Sequence, residues 1–434
     1  MSAAGAMEIE DVAALRTEAV RILRENDRGG YTIPTDGLYP FQWNWDSAFC
    51  AMGIATYDVD RAWSELDYLY QGQWESGLLP HIVFHRPVDS YYPGPDVWGT
   101  AHTPPTSGIS QPPLTATATL RILDRAAAAH ANMSDAKDRA AALYPKILAL
   151  HDWWERERDP DRTGIVAVLH PWETGADNSP VWDGPLKTTP ATKTQFQRRD
   201  VALVDATMRP RQWEYERYIH LVELYRSLGW DGGKMWRETP FKVADVAMNA
   251  ILMRDERDLL TLAESFGTPA ERARLEERAE RRQSGLDRLW HAQDGFYYSR
   301  DLVADEAIRV ASHAGFLPLW GGVRNPDRAK QLADRLTQWL TLCRYGAPTM
   351  SPRDPEFDQK RYWRGPVWAI INFMLGHGAA EQGFADLADR LREDTRALML
   401  RSGFCEYYDP LTGEGLGGGA FSWTAAAGLA WALD

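Results

Sequence analysis

The stretch "HPWETGADNSP", His170 to Pro180, sets two carboxylates, Glu173 and Asp177, beside Trp172 and just ahead of Trp182. Gly175 and Pro180 break it too often for a buried regular element. A further carboxylate, Glu406, stands in "FCEYYDPLTGEGLGG", behind the apolar Phe404 and Cys405 and ahead of two tyrosines that could bind hydroxyl groups. Acid–base cleavage of a glycosidic bond needs two such groups: one protonates the leaving oxygen, and the other acts as nucleophile or base. Apolar rings around Asp177 would desolvate its carboxyl and raise its pKa, as a general acid working near neutral pH requires. Each residue also has an ordinary reading, Asp177 as a turn or capping Asp and Glu406 as an exposed carboxylate. Pairing them requires a fold that joins distant loops.

Other dense clusters surround these two. "LYPFQWNWDSAF" (Leu38 to Phe49) offers Tyr39, Trp43, Trp45 and Asp46, with Asp46 or Ser47 equally able to cap a helix. In "RYWRGPVWAIIN" (Arg361 to Asn372), Gly365-Pro366 opens a helix and the aromatics precede it. In "MRPRQWEYERY" (Met208 to Tyr218), Arg209 is the ligand candidate, whereas Glu214 and Arg217 read as a surface pair on one helix face. His81 and His85 in "HIVFH" lack the Glu of a zinc-binding helix and follow Pro80 in a strand-like run. "DPDRTGIVAVLH" starts like a calcium loop but ends in His170 rather than a bidentate Glu, so it reads as a turn. No phosphate-binding, dinucleotide-binding or serine-hydrolase motif is present, and neither a metal nor a cofactor is expected.

Composition narrows the chemistry. There are 19 Trp against 17 Tyr and 13 Phe, and several fall in polar Gly/Pro segments such as "PDVWG" and "PVWDG". Exposed rings of this kind stack on the C–H faces of pyranoses. A net charge of −13 disfavours nucleic acid as a partner. An anionic substrate would then need a local arginine. No stretch approaches the ~18 apolar residues of a membrane span, and the first residues show no basic and apolar leader pattern, so no membrane partner is expected. Cys50, Cys343 and Cys405 are odd in number and widely spaced, which points to reduced thiols and a cytoplasmic setting.

Positioning these loops falls to helices. "IEDVAALRTEAVRILREN" puts Val12, Leu15, Ala19 and Ile22 on one face. Similar patterns recur at roughly 60–75, 115–131, 137–156, 211–228, 241–265, 270–291, 326–344, 379–399 and 420–433, with shorter apolar helices after Asp46 and Pro366. Between them run long aromatic segments at about 76–114 and 160–208, too rich in Trp and Tyr for disorder. No linker divides the chain, so residues 1–434 read as one all-α domain. A dozen alternating helices with functional loops at one end fit an (α/α)6 barrel, although an open helical array would give the same periodicity. The sequence leaves homo-oligomerisation open.

"YPFQWNWDSAF", "GISQPP", "HPWETGADNSPVWD", "RP…EYERY", "YWRGPVW" and "EYYDPLTGEGLGG…FSWTAA" follow one another in this order. Together they resemble glycoside hydrolase family 63, most closely its small bacterial mannosylglycerate and glucosylglycerate hydrolases. The resemblance runs from about Tyr39 to the C-terminus. It implies an (α/α)6 barrel and inverting hydrolysis of a small α-glycoside, with Asp177 as general acid and Glu406 as general base. An inverting pair stands roughly 6.5–9.5 Å apart, leaving room for the attacking water. Glu173 would orient the loop. The implied sugar subsite is Trp43, Asp46, Trp172, Tyr362, Trp363 and Trp368. The implied aglycone subsite is Tyr39, Trp45, His81, Tyr91, Gln111, Arg209 and Tyr215, with Arg209 on a glycerate carboxylate. Residues 183–207 depart from the family pattern, where a lid would lie. Alternatives are a trehalase-like or other small α-glucosidase on the same fold, and a non-catalytic sugar-binding protein. A histidine-dependent isomerase is disfavoured, since only His170 lies in a carboxylate loop.

Overall fold

The structure, a computed structural model, describes residues 3–88 and 90–434, with side chains from Asp11 onward. Among the described residues, twelve helices build the framework. They are α1 (Ala3–Glu25), α2 (Asn44–Ile54), α3 (Val59–Leu69), α4 (Thr115–Ala128), α5 (Met133–Arg158), α6 (Val246–Phe266), α7 (Pro269–Asp287), α8 (Pro318–Gly321), α9 (Pro326–Leu342), α10 (Ala369–Glu381), α11 (Ala385–Ser402) and α12 (Ser422–Ala427), the last running on as a wider turn over Gly428–Ala432. The even-numbered helices form an inner ring: each packs on the next, and α12 packs back on α2. The odd-numbered helices lie outside. Helix α3 packs on α2, α5 on α4 and α6, α7 on α6, α11 on α10, and α1 on α12. Helix α9 reaches the ring through Trp339, whose ring is 4.8 Å from that of Phe316 just before α8. The array is therefore closed, an (α/α)6 barrel.

Ring position explains the sequence patterns. An inner helix has neighbours on both flanks and an outer helix behind it, so it is buried on nearly every side and shows no clean apolar stripe. All eleven residues of α2 are buried, and "AIINFMLG" opens α10 with no polar face. The outer α3 shows a single stripe instead, Ala62, Trp63, Leu66 and Leu69. Outer and inner starts alike carry caps. Asp58, Asn132, Asp245 and Asn325 accept from the first free backbone N–H groups, and Thr268 with Glu271 forms a reciprocal box ahead of α7.

Several boundaries depart from the periodicity. The pattern at 379–399 spans the end of α10 and most of α11, because Gly383 at φ +85° breaks the chain there. The helix expected to open at Gly365-Pro366 starts at Ala369, since Val367 is extended and exchanges two backbone hydrogen bonds with Tyr408, at 2.8 and 2.9 Å. The 241–265 helix starts at Val246, because Val243 pairs with Val168 and with Asp301. Two short pairings matter for the site. Gln42–Trp43 pairs antiparallel with Ile82–Val83, in the register Gln42 with Val83, which brings "FQWNWD" against "HIVF". Tyr407–Tyr408 pairs with Gly415–Leu416 in a hairpin directly after Glu406. No described helix is long and apolar enough to cross a membrane.

Candidate active site

The loops between helices converge on one cavity. The mid-chain loop supplies Trp172 and Asp177, and the C-terminal loop supplies Glu406. Tyr39, Trp43, Trp45 and Asp46 enter from the start of α2. His81, Tyr91 and Gln111 enter from the 76–114 segment, and Arg209 and Tyr215 from the start of the 212–227 helix. Tyr362 completes the wall. Thirteen of the fifteen residues singled out by the sequence thus face one space.

The loop carrying Asp177 is held by its backbone. Tyr218 donates to Asp177 O at 2.6 Å, and Trp182 Nε1 donates to Ala176 O at 2.7 Å. Asn178 Oδ1 accepts from Trp363 N at 3.0 Å. Gly175 sits at φ +70°, and a Cβ there would lie 2.3 Å from the Trp45 ring, so both conformation and space require glycine. Glu173 turns away from the cavity. It pairs with Arg158 at 2.6 Å and accepts from Leu169 N at 2.7 Å, fixing the base of the loop. The side chain of Asp177 is left facing the cavity. Burial pushes its carboxyl up to about 7, opposed by the charge of Arg209 and aided by that of Glu406.

Glu406 is surrounded by donors. Tyr39 Oη and Tyr362 Oη donate to Oε1 at 2.8 and 3.2 Å, and Gly418 N donates to Oε2 at 3.1 Å. Arg209 Nη1 is 3.6 Å from Oε1. Burial raises the Glu406 carboxyl above its usual range, while Arg209 and these donors act to keep it anionic. The two carboxyls therefore meet contrasting surroundings: one lacks donors and holds its proton near neutrality, and the other has three donors and a cation. Asp46 is a third carboxyl in the cavity. Burial, with the charges of Glu406, Glu65 and Asp177, pushes it well above its usual range. Burial holds His81 well below the usual histidine range, with the nearby His170 adding to this. The neutral His81 ring lies stacked on Trp172, at 6.1 Å and 15°.

Some expectations need correction. Trp363 and Trp368 do not line the cavity. Both are fully buried and stack on each other at 4.0 Å, behind Tyr362, whose ring is 5.1 Å from that of Trp368. Tyr407 and Tyr408 offer no hydroxyls to the cavity, since they donate to the carbonyls of Met208 and Gly403. Trp98 and Trp182 are core residues. Glu214 and Arg217 are not a surface pair. Glu214 is buried, accepting from Arg211 N and lying 3.3 Å from Arg364, and Arg217 donates to Leu186 O.

The 183–207 segment and the C-terminal loop add residues that the sequence reading passed over. Asp200 lines the cavity with Leu203, and Phe421 and Trp423 line it from the C-terminal side. Phe196 sits between Tyr92 (5.4 Å, 4°) and Tyr215 (5.9 Å). No sequence period marked them, since Arg199 is helical in backbone and Asp200 opens a short 3-10 turn, Asp200–Ala202.

Residues 39–424 match the mannosylglycerate hydrolase MGH1-like glycoside hydrolase domain. The chain is 48% identical to a mannosylglycerate hydrolase of Thermus thermophilus over 419 residues, covering 95% of this chain and 99% of that one. It is 36% identical to a glucosylglycerate hydrolase of Mycolicibacterium hassiacum, covering 96% of this chain and 97% of the relative. The crystal structure of a family 63 mannosylglycerate hydrolase from Thermus thermophilus, in complex with Tris and D-glycerate, superposes with a TM-score of 0.93 at 48% identity, over 96% of this chain and 99% of that one. With these likenesses and the paired carboxylates, the chain belongs to the MGH1-like family of glycoside hydrolases.

Proposed function

We propose that this enzyme hydrolyses an α-glycoside of glycerate, mannosylglycerate or glucosylglycerate, with inversion at the anomeric carbon. Asp177 gives its proton to the glycosidic oxygen as the bond from the anomeric carbon breaks. Glu406 takes a proton from water as that water's oxygen bonds to the opposite face of the same carbon. The products are the free sugar, formed as its β-anomer, and glycerate carrying the proton from Asp177. Trp43, Asp46, Trp172 and Tyr362 bind the sugar. Tyr39, Trp45, His81, Tyr91, Gln111, Arg209 and Tyr215 bind the glycerate, whose carboxylate meets Arg209. Trp363 and Trp368 act from behind, by fixing Tyr362.

The observation that carries this reading is the asymmetry of the two carboxyls across one cavity, with Arg209 beside them. The raised Asp177 suits an acid, and the donors around Glu406 suit a base that stays charged. The relatives named above act on glycerate glycosides, which supports the substrate. We also read residues 1–434 as one catalytic domain, because one apolar core runs from α1 to the turn after α12, and we place the enzyme in the cytoplasm on the strength of its free thiols. Initial rates on glucosylglycerate and mannosylglycerate, with Asp177→Ala and Glu406→Ala alongside, test the proposal. Each variant is expected to fold, and to lose about 10²–10⁴-fold or more in kcat. Near wild-type turnover by either variant would overturn the assignment.

A further inference from the structure

The three nitrogens of Arg209 have unequal partners. Nη2 donates to Tyr39 Oη at 2.8 Å, and Nε donates to Asp200 Oδ2 at 3.2 Å. Nη1 is buried without a hydrogen-bond partner, 3.6 Å from Glu406 Oε1. The guanidinium carbon lies 4.1 Å from the centre of the Tyr362 ring. Asp200 is itself held from the lid. Arg198 Nε donates to its Oδ1 at 3.1 Å, and Arg198 Nη2 donates to its Oδ2 at 2.6 Å. Arg198 Nη1 donates to Pro210 O at 2.6 Å, and its guanidinium covers the Tyr215 ring at 4.4 Å. A chain of contacts thus runs from the lid through Arg198 and Asp200 to Arg209 and ends at Glu406.

We propose that Asp200 is a positioning residue that draws Arg209 toward the lid and away from Glu406, leaving Nη1 free to take the carboxylate of an anionic aglycone. An arginine beside a single carboxylate closes on it in a two-pronged ion pair. Such a pair would fill the place of the aglycone anion and weaken Glu406 as a base. Asp200 divides the pull. The charged or titratable groups facing Glu406 are Arg209, Tyr39 and Tyr362, with Asp177 and Asp46 in the same cavity and Cys405 and Tyr407 beside it in the chain, Tyr407 also close to Arg209. Those facing Asp200 are Arg198 and Arg209, with Tyr91, Tyr215 and Asp177 nearby. The inference rests on the reading above that the substrate is anionic.

The test compares glucosylglycerate with its uncharged counterpart glucosylglycerol, using the wild type, Asp200→Asn and Asp200→Glu, each checked for native helical content by circular dichroism. In Asp200→Asn the preference for the charged over the uncharged glycoside, in kcat/KM, is expected to fall about ten-fold or more, mainly through KM. The acidic limb of kcat/KM moves to lower pH as Glu406 gains Arg209 as a direct partner. Asp200→Glu, which keeps the charge, restores most of the preference. Equal losses on both glycosides with an unmoved acidic limb, or no change at all, would overturn the proposal. Calorimetric titration with D-glycerate separates this result from the substrate reading. If neither these glycosides nor their mannosyl counterparts are cleaved but the Asn variant binds D-glycerate more weakly than the wild type, the substrate reading fails and the role of Asp200 stands. Equal binding, or none by the wild type, removes that role.

Discussion

At the scale of single residues, the site depends on how differently one cavity treats two carboxyls. Asp177 has no side-chain donor and is held near pH 7 by burial. A general acid must carry its proton, so kcat/KM is expected to fall as pH rises through about 7. The same shift bears on stability. The folded protein disfavours ionised Asp177, so a penalty grows as pH rises from the ordinary carboxylate range to about 7 and is absent below that range. Asp177→Asn removes the ionisable group. Its melting temperature relative to the wild type should therefore rise across that window and level off above it. A flat kcat/KM profile from pH 5 to 9, or a constant difference in melting temperature, would contradict this assignment. Residue types in the Gly/Pro loops announced much of the site: carboxylates and aromatic rings cluster there with no helical period to explain them. Which rings touch ligand was not legible. Trp172 and Trp363 look alike in sequence, yet one lines the cavity and the other lies beneath it, because burial is decided by the packing of Tyr362 and Trp45. Asp200 was hidden for the opposite reason. Its neighbours "QRRDVALVD" mix charged and small apolar residues and carry no aromatic residue, and its importance comes only from Arg209, brought to it by the fold.

At the scale of elements, periodicity made legible both the outer helices, where one apolar stripe stands against a polar face, and the longer inner helices α4 and α6. The inner helix α8 carries too few residues to show a period, and α12 was legible only together with the turn that continues it. Between α5, α6 and α7 lies a buried polar cluster with no part in the cavity. Glu256 of α6 accepts from Arg278 and Arg282 of α7, at 2.5 and 3.0 Å, and from His151 of α5 at 3.1 Å. Asp255 takes the other ring nitrogen of His151 at 2.9 Å. Burial would raise the Glu256 carboxyl, but Arg278, Arg282 and His151 outweigh it and hold it far below its usual range. Its stabilisation is thus fully present above the ordinary carboxylate pKa and is lost as pH falls through the depressed folded value. Glu256→Ala leaves these buried cations without their shared counter-charge. It is expected to cost about 3–5 kcal/mol in urea unfolding at pH 7, whereas a loss below about 1 kcal/mol would show that the cluster does not join these helices.

At the scale of the whole molecule, closure of the ring is what lets a mid-chain acid meet a C-terminal base. Closure depends on close approach: a Cβ on Gly53 of α2 would lie 2.4 Å from Ala426 Cα of α12, and one on Gly378 of α10 would lie 2.6 Å from the backbone of α8. Periodicity gave most of the helices but not this closure, because a glycine at a helix crossing reads like any other glycine. With the ring shut, the loops before α2, before α6 and before α12 all open on the same end, where Asp177 and Glu406 share a cavity with Arg209. The account stands on these two residues acting on opposite faces of one anomeric carbon. Proton NMR of the first sugar released from glucosylglycerate or mannosylglycerate, recorded before mutarotation, tests this most directly. The β-anomer appearing first, with α growing in later, is the result expected. An α-anomer as the first product would mean retention and would contradict a water activated by Glu406.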